Sequence, residues 1–190
     1  MTTTLVTGPV RSGKSRHAES LLSRHSSVVY LATGPLPGPD PEWTSRVVQH
    51  RSRRPPGWTT VESPDVARVI GGAGTPVLVD CLGTWLTGLV DGTGWDDLER
   101  ARSVVASAGA DLLAALSGAA APVVVVTNEV GWGVVPTSAS GRFFQDELGR
   151  LNAAVSAAAD VVHLVVAGRV VDLTSAPVVP KDPPSRTLRA

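Results

Sequence analysis

The chain has 190 residues, of which 43% are hydrophobic and 18% are charged, and its 17 basic and 17 acidic residues cancel. This length and this low charge exclude an intrinsically disordered chain and predict one domain with its own hydrophobic core. Because the net charge is zero, and because there is neither a basic leader nor an apolar run of about 20 residues, we expect a cytoplasmic protein that binds no nucleic acid and makes no stable membrane insertion.

Apolar and turn-forming residues divide the chain into strands and helices. In chain order we predict a strand at 5–6, a helix at 12–22, a strand at 26–33, helices at 42–53 and 65–70, a strand at 77–80, helices at 82–90 and 95–117, a strand at 123–127, a helix at 141–159, a strand at 161–166 and an edge strand at 170–173. Short, continuous apolar strands that alternate with helices are typical of an α/β domain whose mostly parallel sheet is covered on both faces. We place this domain at residues 1–173 and expect the Pro-rich segment 174–190, which has few apolar anchors, to be a loose tail.

The segment between the first strand and the first helix fits the phosphate-binding pattern G-x-x-x-x-G-K-[ST]. Its residues are Gly8, Pro9, Val10, Arg11, Ser12, Gly13, Lys14 and Ser15. Glycines let successive N–H groups face a phosphate, and the helix N-terminus adds partial positive charge. Lys14 would reach the β- and γ-phosphates of ATP or GTP, and the Ser15 hydroxyl would ligate Mg²⁺. Because Lys14 is one of only two lysines in a chain with fifteen arginines, its position favours a nucleotide site over an ordinary Gly-rich turn.

Asp80 closes the predicted strand at 77–80, and an acid in this position completes the metal site of many P-loop proteins. Its carboxylate would hold Mg²⁺ directly or through water. By itself the residue is also compatible with an N-cap for the helix at 82–90. Beside a P-loop, the metal-holding role is the favoured interpretation.

Other polar residues follow predicted strands and belong to the same edge of the sheet. Asn128 and Glu129 come after one buried strand, and Thr33 and Gly34 lie at the end of another. Because ligands bind at the carboxyl ends of parallel strands, we expect these residues to converge with the P-loop and with Asp80. The sequence leaves open whether Asn128 and Glu129 contact substrate or metal, or only cap a loop.

A group of basic residues surrounds one histidine in the predicted helix at 42–53. If that segment is helical, Arg46, His50, Arg53 and Arg54 share one face. Nearby positive charge favours neutral imidazole, which could attack phosphorus while guanidinium groups hold a triphosphate. On spacing alone, a solvated basic face with a bystander histidine is the more frequent arrangement. The other histidines are predicted to have structural roles: His17, His25 and His163.

Several motifs occur together in one order along the chain. They comprise 7–19, 29–33, the block His50-Arg51-x-x-Arg54-Pro55, 79–82, the block Asn128-Glu129-Val130-Gly131, 149–152 and 167–168. This order resembles the family of bifunctional adenosylcobinamide kinases/adenosylcobinamide-phosphate guanylyltransferases of cobalamin synthesis. The resemblance covers residues 1–173, and the His-Arg and Asn-Glu blocks are far more specific than the P-loop. The chain departs from the family pattern at Pro9, at 137–140 and at Gln145.

The resemblance implies a RecA-like P-loop fold, a homotrimer and two reactions. ATP or GTP would phosphorylate the aminopropanol hydroxyl of adenosylcobinamide. His50 would then attack the α-phosphate of GTP, release pyrophosphate and pass the guanylyl group to adenosylcobinamide phosphate, giving adenosylcobinamide-GDP. By matching positions, the nucleotide contacts would be residues 8–15, Thr33, Gly34, Pro35, Arg51, Ser52, Arg53, Arg54, Glu62 and Asp80. Two other functions stay open from the residues alone: a monofunctional P-loop small-molecule kinase and a non-catalytic nucleotide-binding regulatory protein.

Overall fold

Strands and helices alternate along most of the chain, as the apolar pattern predicts. The computed structural model describes residues 1–35 and 38–180, and of Arg46 only the backbone. The elements are β1 (Thr3–Thr7), α1 (Lys14–Leu21), β2 (Val28–Ala32), α2 (Pro41–Ser52), β3 (Trp58–Glu62), α3 (Val66–Gly72), β4 (Val77–Asp80), α4 (Leu82–Asp91), α5 (Leu98–Ser117), β5 (Val123–Val126), α6 (Ala139–Ala158), β6 (Val161–Val166) and β7 (Arg169–Asp172).

The strands form one sheet in the order β3-β2-β4-β5-β1-β6-β7. Neighbouring strands are parallel, except that β7 runs antiparallel to β6. The strand β5 lies between β1 and β4, and Val125 is in register with Leu5 on one side and with Val79 on the other. The carboxyl ends of these three strands therefore meet at one edge, which is where α/β sheets bind ligands. The predicted class, an α/β P-loop fold with a mostly parallel sheet, is confirmed.

Apolar side chains cover both faces of the sheet. On one face, Leu86 of α4, Leu112 of α5 and Leu148 of α6 are fully buried in a shared core. On the other face, Ala18 of α1 packs in a second core with Tyr30 of β2. Full burial of a leucine side chain contributes about 1.5–3 kcal/mol. The two helical layers that stabilise the sheet thereby also fix the positions of its strand ends.

Among the elements of residues 1–35 and 38–180, the strand β3 is the one that the sequence pattern does not predict. It lies at the edge of the sheet, where Trp58 pairs with Val28 of β2. Three of its residues, Thr59, Thr60 and Glu62, are exposed. The segment therefore lacks the continuous apolar run that reveals an interior strand.

Side-chain caps set the start of two helices at residues other than those predicted. The Asp97 carboxylate accepts a hydrogen bond of 3.0 Å from the N–H of Arg100, so α5 begins at Leu98 and not at 95. The Ser138 hydroxyl accepts a 3.0 Å hydrogen bond from the N–H of Gly141, so α6 begins two residues before the predicted 141. Such caps satisfy amides that have no partner within the helix.

The chain shows no helix, within residues 1–35 and 38–180, that is long and apolar enough to cross a membrane. Of the predicted tail at 174–190, residues 181–190 lie outside the described part of the chain. The valines at 178 and 179 that precede them are exposed. The domain boundary at 173 stays a prediction.

Two histidines that the sequence analysis treats as structural form a pair between α1 and β6. The Nε2 atom of His17 lies 3.0 Å from the Nδ1 atom of His163, so one ring donates to the other while at least one of them is neutral. Asp172 of β7 pairs with His163 across the antiparallel strands. Partial burial, followed by the neighbouring His163, lowers the pKa of His17.

The histidine pair predicts that the protein loses stability in mild acid. Because the folded state binds the proton of His17 more weakly than the unfolded chain does, the free energy of unfolding should fall as pH drops below the ordinary histidine pKa of about 6.5. Urea titrations across this range should show the decrease in the wild type and a weaker decrease in His17→Gln. His25→Gln, which changes an exposed histidine, is the matched control. An equal acid dependence in wild type and His17→Gln would contradict the prediction.

Candidate active site

The P-loop curls tightly around the start of α1, where two glycines are required. Gly13 has a φ of 98°, a left-handed conformation that favours glycine. At Gly8 a Cβ atom would lie 2.3 Å from the carbonyl oxygen of Val165, so a side chain does not fit. The Nζ atom of Lys14 lies 3.1 Å from the carbonyl oxygen of Pro9 and donates to it. Pro9 thus removes one N–H from the loop but keeps the carbonyl that orients the lysine.

The carboxylate of Asp80, at the end of β4, contacts three side chains. Its Oδ2 atom accepts a 2.5 Å hydrogen bond from the Tyr30 hydroxyl and lies 3.5 Å from Nδ1 of His50. Its Oδ1 atom accepts a 3.4 Å hydrogen bond from the Ser15 hydroxyl. Burial opposes ionisation, but the contacts with His50 and Tyr30 and the charge of Lys14 outweigh it, so the pKa of Asp80 is lowered. The carboxylate is therefore charged at neutral pH.

The structure excludes the N-cap interpretation of Asp80, whereas its role toward a metal stays a prediction. The N-cap residue of α4 is Cys81, not Asp80. The Asp80 side chain instead connects the P-loop helix, through Ser15, with α2, through His50. Burial, followed by the charge of Asp80, raises the pKa of Tyr30, so this hydroxyl stays protonated and continues to donate.

The helix α2 brings His50 to this carboxylate. The helix starts at an N-cap in which the Asp40 carboxylate accepts from the N–H groups of Glu42 and Trp43. The Trp43 indole donates a 3.0 Å hydrogen bond to the carbonyl oxygen of Pro35, in the segment after β2. Gly34 leaves room for this ring, because a Cβ atom there would lie 2.7 Å from it. With its first turn fixed in this way, α2 presents His50 from its last turn.

The predicted basic face is only partly correct. The helix α2 ends at Ser52 with Arg53 as its C-cap, and the side chains of Arg53 and Arg54 contact different elements. Arg53 forms a 3.3 Å ion pair with Glu19 of α1. The Arg54 guanidinium lies 3.5 Å from the centre of the Tyr30 ring and donates a 2.7 Å hydrogen bond to the Thr60 hydroxyl. The side chain of Arg46 lies outside the described part of the chain.

Nine of the eighteen predicted site residues line one open cavity of about 140 Å³ at the carboxyl edge of the sheet. Those that line it are Lys14, Ser15, Gly34, Pro35, His50, Arg51, Arg54, Glu62 and Asp80. Within the cavity Arg51 forms an ion pair with Glu62 of β3. The P-loop residues 8–13 and Thr33, Ser52 and Arg53 lie outside this lining. Arg11 is exposed and approaches Glu42 at 4.0 Å.

Some residues of the cavity were not among the predicted site residues. They are Tyr30, Ala32, Trp43, Val47, Cys81, Thr84 and Asn128. Tyr30 could have been predicted to belong to the site, because a tyrosine in a buried strand needs a partner for its hydroxyl. Nothing in the sequence indicates that Thr84 belongs to the site, since its 2.8 Å hydrogen bond with Thr33 joins residues far apart in sequence.

The chain matches the family model described as cobinamide kinase / cobinamide phosphate guanyltransferase over residues 4–173. It is 41% identical over 174 residues to the bifunctional adenosylcobalamin biosynthesis protein CobU of Escherichia coli (strain K12), which covers 86% of this chain and 95% of that protein. It is 39% identical over 184 residues to the protein of the same name from Salmonella typhimurium, with the same coverage of 86% and 95%. It is 36% identical over 178 residues to the bifunctional adenosylcobalamin biosynthesis protein CobP of Pseudomonas aeruginosa, covering 91% of this chain and 98% of that protein.

Proposed function

Because the chain belongs to the cobinamide kinase / cobinamide phosphate guanyltransferase family, we propose that one nucleotide site serves both of its transferase reactions, with His50 as the covalent carrier of the guanylyl group. The chain is accordingly a bifunctional enzyme of cobalamin biosynthesis. The acceptors are adenosylcobinamide and its phosphate, the kinase donor is ATP or GTP, and the guanylyl donor is GTP. By family resemblance we also propose a cytoplasmic homotrimer.

The observation that carries this proposal is the contact between His50 and Asp80 beside the P-loop. The Nδ1 atom of His50 faces the charged carboxylate at 3.5 Å, so the proton of the neutral ring belongs on Nδ1. The lone pair is then on Nε2, the nitrogen that can attack. Because Asp80 also contacts Ser15 of the P-loop, the imidazole lies beside the loop that would bind a nucleoside triphosphate.

The guanylyl step is a displacement at the α-phosphorus of GTP. The Nε2 lone pair of His50 forms an N–P bond, and the bond between the α-phosphorus and the bridging oxygen breaks, so pyrophosphate leaves with that electron pair. The ring keeps its Nδ1 proton and becomes cationic, and the carboxylate of Asp80 stabilises this charge. A phosphate oxygen of adenosylcobinamide phosphate then attacks the same phosphorus and breaks the N–P bond, which returns neutral His50.

Three side chains bring positive charge to the phosphates. Lys14 lies in the P-loop, and Arg51 and Arg54 line the cavity beside His50. Guanidinium groups bind phosphate oxygens in a fixed geometry and stabilise the charge that develops on them. Arg51 reaches the phosphates on loosening its ion pair with Glu62, a residue that also belongs to the proposed nucleotide contacts.

The oxygen atoms of Ser15 and Asp80 fit a magnesium ion bound with a nucleotide. Hydroxyl and carboxylate oxygens are the donors that Mg²⁺ prefers, and the ion usually takes one or two protein ligands together with phosphates and water. Within residues 1–35 and 38–180, no group of three or more His, Cys, Asp or Glu side chains is placed so that it could hold a metal ion. When bound, Mg²⁺ would neutralise phosphate charge.

The proposed function is tested with GTP labelled at the α-phosphate. Incubation with Mg²⁺ should leave acid-labile, alkali-stable label on the chain, as expected for a phosphoramidate. Addition of adenosylcobinamide phosphate should discharge the label into adenosylcobinamide-GDP. A monofunctional kinase would phosphorylate adenosylcobinamide without labelling the chain, and a regulatory protein would do neither.

Asp80→Asn should damage the use of Mg²⁺ more than the binding of nucleotide, because the amide keeps the shape and loses the charge. The Mg²⁺ concentration that gives half of the maximal rate should rise by about 10- to 100-fold. Asp111→Asn, an exposed substitution in α5, is the matched control and should behave like wild type. An unchanged Mg²⁺ requirement in Asp80→Asn would leave the residue with only its contacts to His50, Tyr30 and Ser15.

A further inference from the structure

The side chain of Asn128 faces the cavity with no hydrogen bond of its own. It is half-buried just beyond β5 and lines the cavity with Lys14 and Asp80. Among the described residues its carboxamide has no hydrogen-bonding partner. An amide that lines a binding cavity and makes no hydrogen bond within the protein can bind a ligand there, because neither its donors nor its acceptor are used by the fold.

The neighbouring helix leaves space for this carboxamide. A Cβ atom built on Gly83, in the first turn of α4, would lie 3.0 Å from Nδ2 of Asn128. That distance is tighter than an ordinary contact, so glycine at this position lets the amide sit beside the helix. The side chain of Asn128 therefore lies against the first turn of α4.

The backbone of Asn128 is fixed from α6 by a buried asparagine. The Oδ1 atom of Asn152, which is 8% exposed, accepts a 2.6 Å hydrogen bond from the hydroxyl of Thr127. The Nδ2 atom of Asn152 donates a 2.9 Å hydrogen bond to the carbonyl oxygen of Asn128. One side chain thus holds two consecutive residues at the point where the chain leaves β5.

The next residue is fixed to the P-loop from the other side. The N–H of Glu129 donates a 3.2 Å hydrogen bond to the carbonyl oxygen of Gly8. The Glu129 carboxylate accepts a 2.6 Å hydrogen bond from the hydroxyl of Thr7. The backbone and side chain of Glu129 are thus both hydrogen-bonded to the end of β1 and the P-loop, whereas the side chain of Asn128 faces the cavity. Of these two residues, Glu129 has the structural contacts and Asn128 is placed to contact a ligand.

The strand order decides what Asn128 can reach. Because β5 lies between β1 and β4, Asn128 stands between the P-loop and Asp80. His50 comes from the opposite side of Asp80, since α2 is fastened over the ends of β2 and β3 by the contacts of Trp43 and Arg51. Asn128 and His50 therefore lie on opposite sides of Asp80.

We propose that Asn128 is a catalytic residue of the kinase reaction and that Asn152 is its positioning residue. This proposal rests on the proposed function. In the kinase reaction the acceptor hydroxyl oxygen forms a bond to the γ-phosphorus, and the bond between that phosphorus and the β,γ-bridging oxygen breaks. The nucleoside diphosphate leaves with the electron pair, and the hydroxyl proton goes to water. The amide of Asn128 donates to an oxygen of the γ-phosphoryl group as it transfers. Guanylyl transfer to His50 takes place at the α-phosphorus and does not need this donor.

The test compares both reactions in the same variants. Asn128→Ala should lower kcat of the kinase reaction by about 100-fold, the typical loss for one donor to a developing charge. KM for the nucleotide and the rate of labelling from α-labelled GTP should stay close to wild type. Asn128→Ser, which also fits beside Gly83, is the second variant if the alanine variant does not fold.

The positioning role is tested with a matched pair at the buried Thr127. Thr127→Val keeps the shape and removes the hydrogen bond to Asn152, so kinase kcat should fall by about 10-fold. Thr127→Ser keeps the hydroxyl and should restore it. A purely structural role would lower Tm and both reactions equally in Thr127→Val.

The outcomes separate this proposal from the function on which it rests. A wild-type chain that neither becomes labelled nor phosphorylates adenosylcobinamide would overturn the proposed function. A wild type that does both, with an Asn128→Ala variant whose kinase kcat is unchanged, would overturn the role of Asn128 alone. So would equal losses of kinase and guanylyl activity in a folded Asn128→Ala protein.

Discussion

His50→Ala should eliminate the covalent guanylyl adduct completely. A histidine nucleophile divides nucleotidyl transfer into two displacements, and without the imidazole neither can occur. The P-loop contacts with the nucleotide do not involve this ring, so the variant should still bind GTP. The kinase reaction, which needs no N–P bond, should survive at least in part.

The decisive measurement is mass spectrometry of the intact chain and of its peptides after incubation with GTP and Mg²⁺. The wild type should carry one GMP on the peptide that contains His50. His25→Ala, which changes an exposed histidine, should keep the adduct and serves as the control. A GMP on His17 or His163, or an adduct that persists in His50→Ala, would refute the assignment.

The residues of the site that were predicted from sequence are those whose chemistry is local. The P-loop is contiguous, and its Lys14 is conspicuous in a chain that otherwise uses arginine. Asp80 is visible as the acid that ends an apolar strand. In both cases the pattern and the structure that it forms lie within a few residues, so neighbouring side chains suffice to predict them.

The contacts that were not predicted join distant segments. Asp80 contacts Tyr30 across 50 positions, and Thr127 contacts Asn152 across 25. Each contact depends on the order of strands in the sheet, which the periodicity of one segment does not contain. The edge strand β3 was missed for a related reason, since its exposed threonines resemble a loop until a neighbouring strand pairs with them.

The basic residues around His50 have different partners in the structure. A helix at 42–53 predicts that they share one side and hold phosphate. Arg53, the C-cap of α2, keeps a helical backbone but forms an ion pair with Glu19 of α1, and Arg54 lies over the ring of Tyr30. Arg54 lines the cavity, whereas Arg53 does not.

Lys14→Ala should reduce both reactions by at least about 100- to 1,000-fold, the scale of loss when a donor to phosphate charge is removed. Both reactions use the same triphosphate, and Lys14 is the P-loop cation that would face its β- and γ-phosphates. The adduct on His50 should therefore disappear on the time scale of the wild-type reaction, together with phosphorylation of adenosylcobinamide.

The fold should survive this change, because Lys14 lines the open cavity and its amine donates to the loop carbonyl of Pro9. Arg16→Ala, an exposed substitution two residues further along α1, is the matched control and should keep both activities. Calorimetric titration with GTP distinguishes lost binding from lost chemistry. Full GTP affinity in a folded Lys14→Ala variant would refute the P-loop as the triphosphate site, since removing a positive charge from the phosphates must weaken binding there.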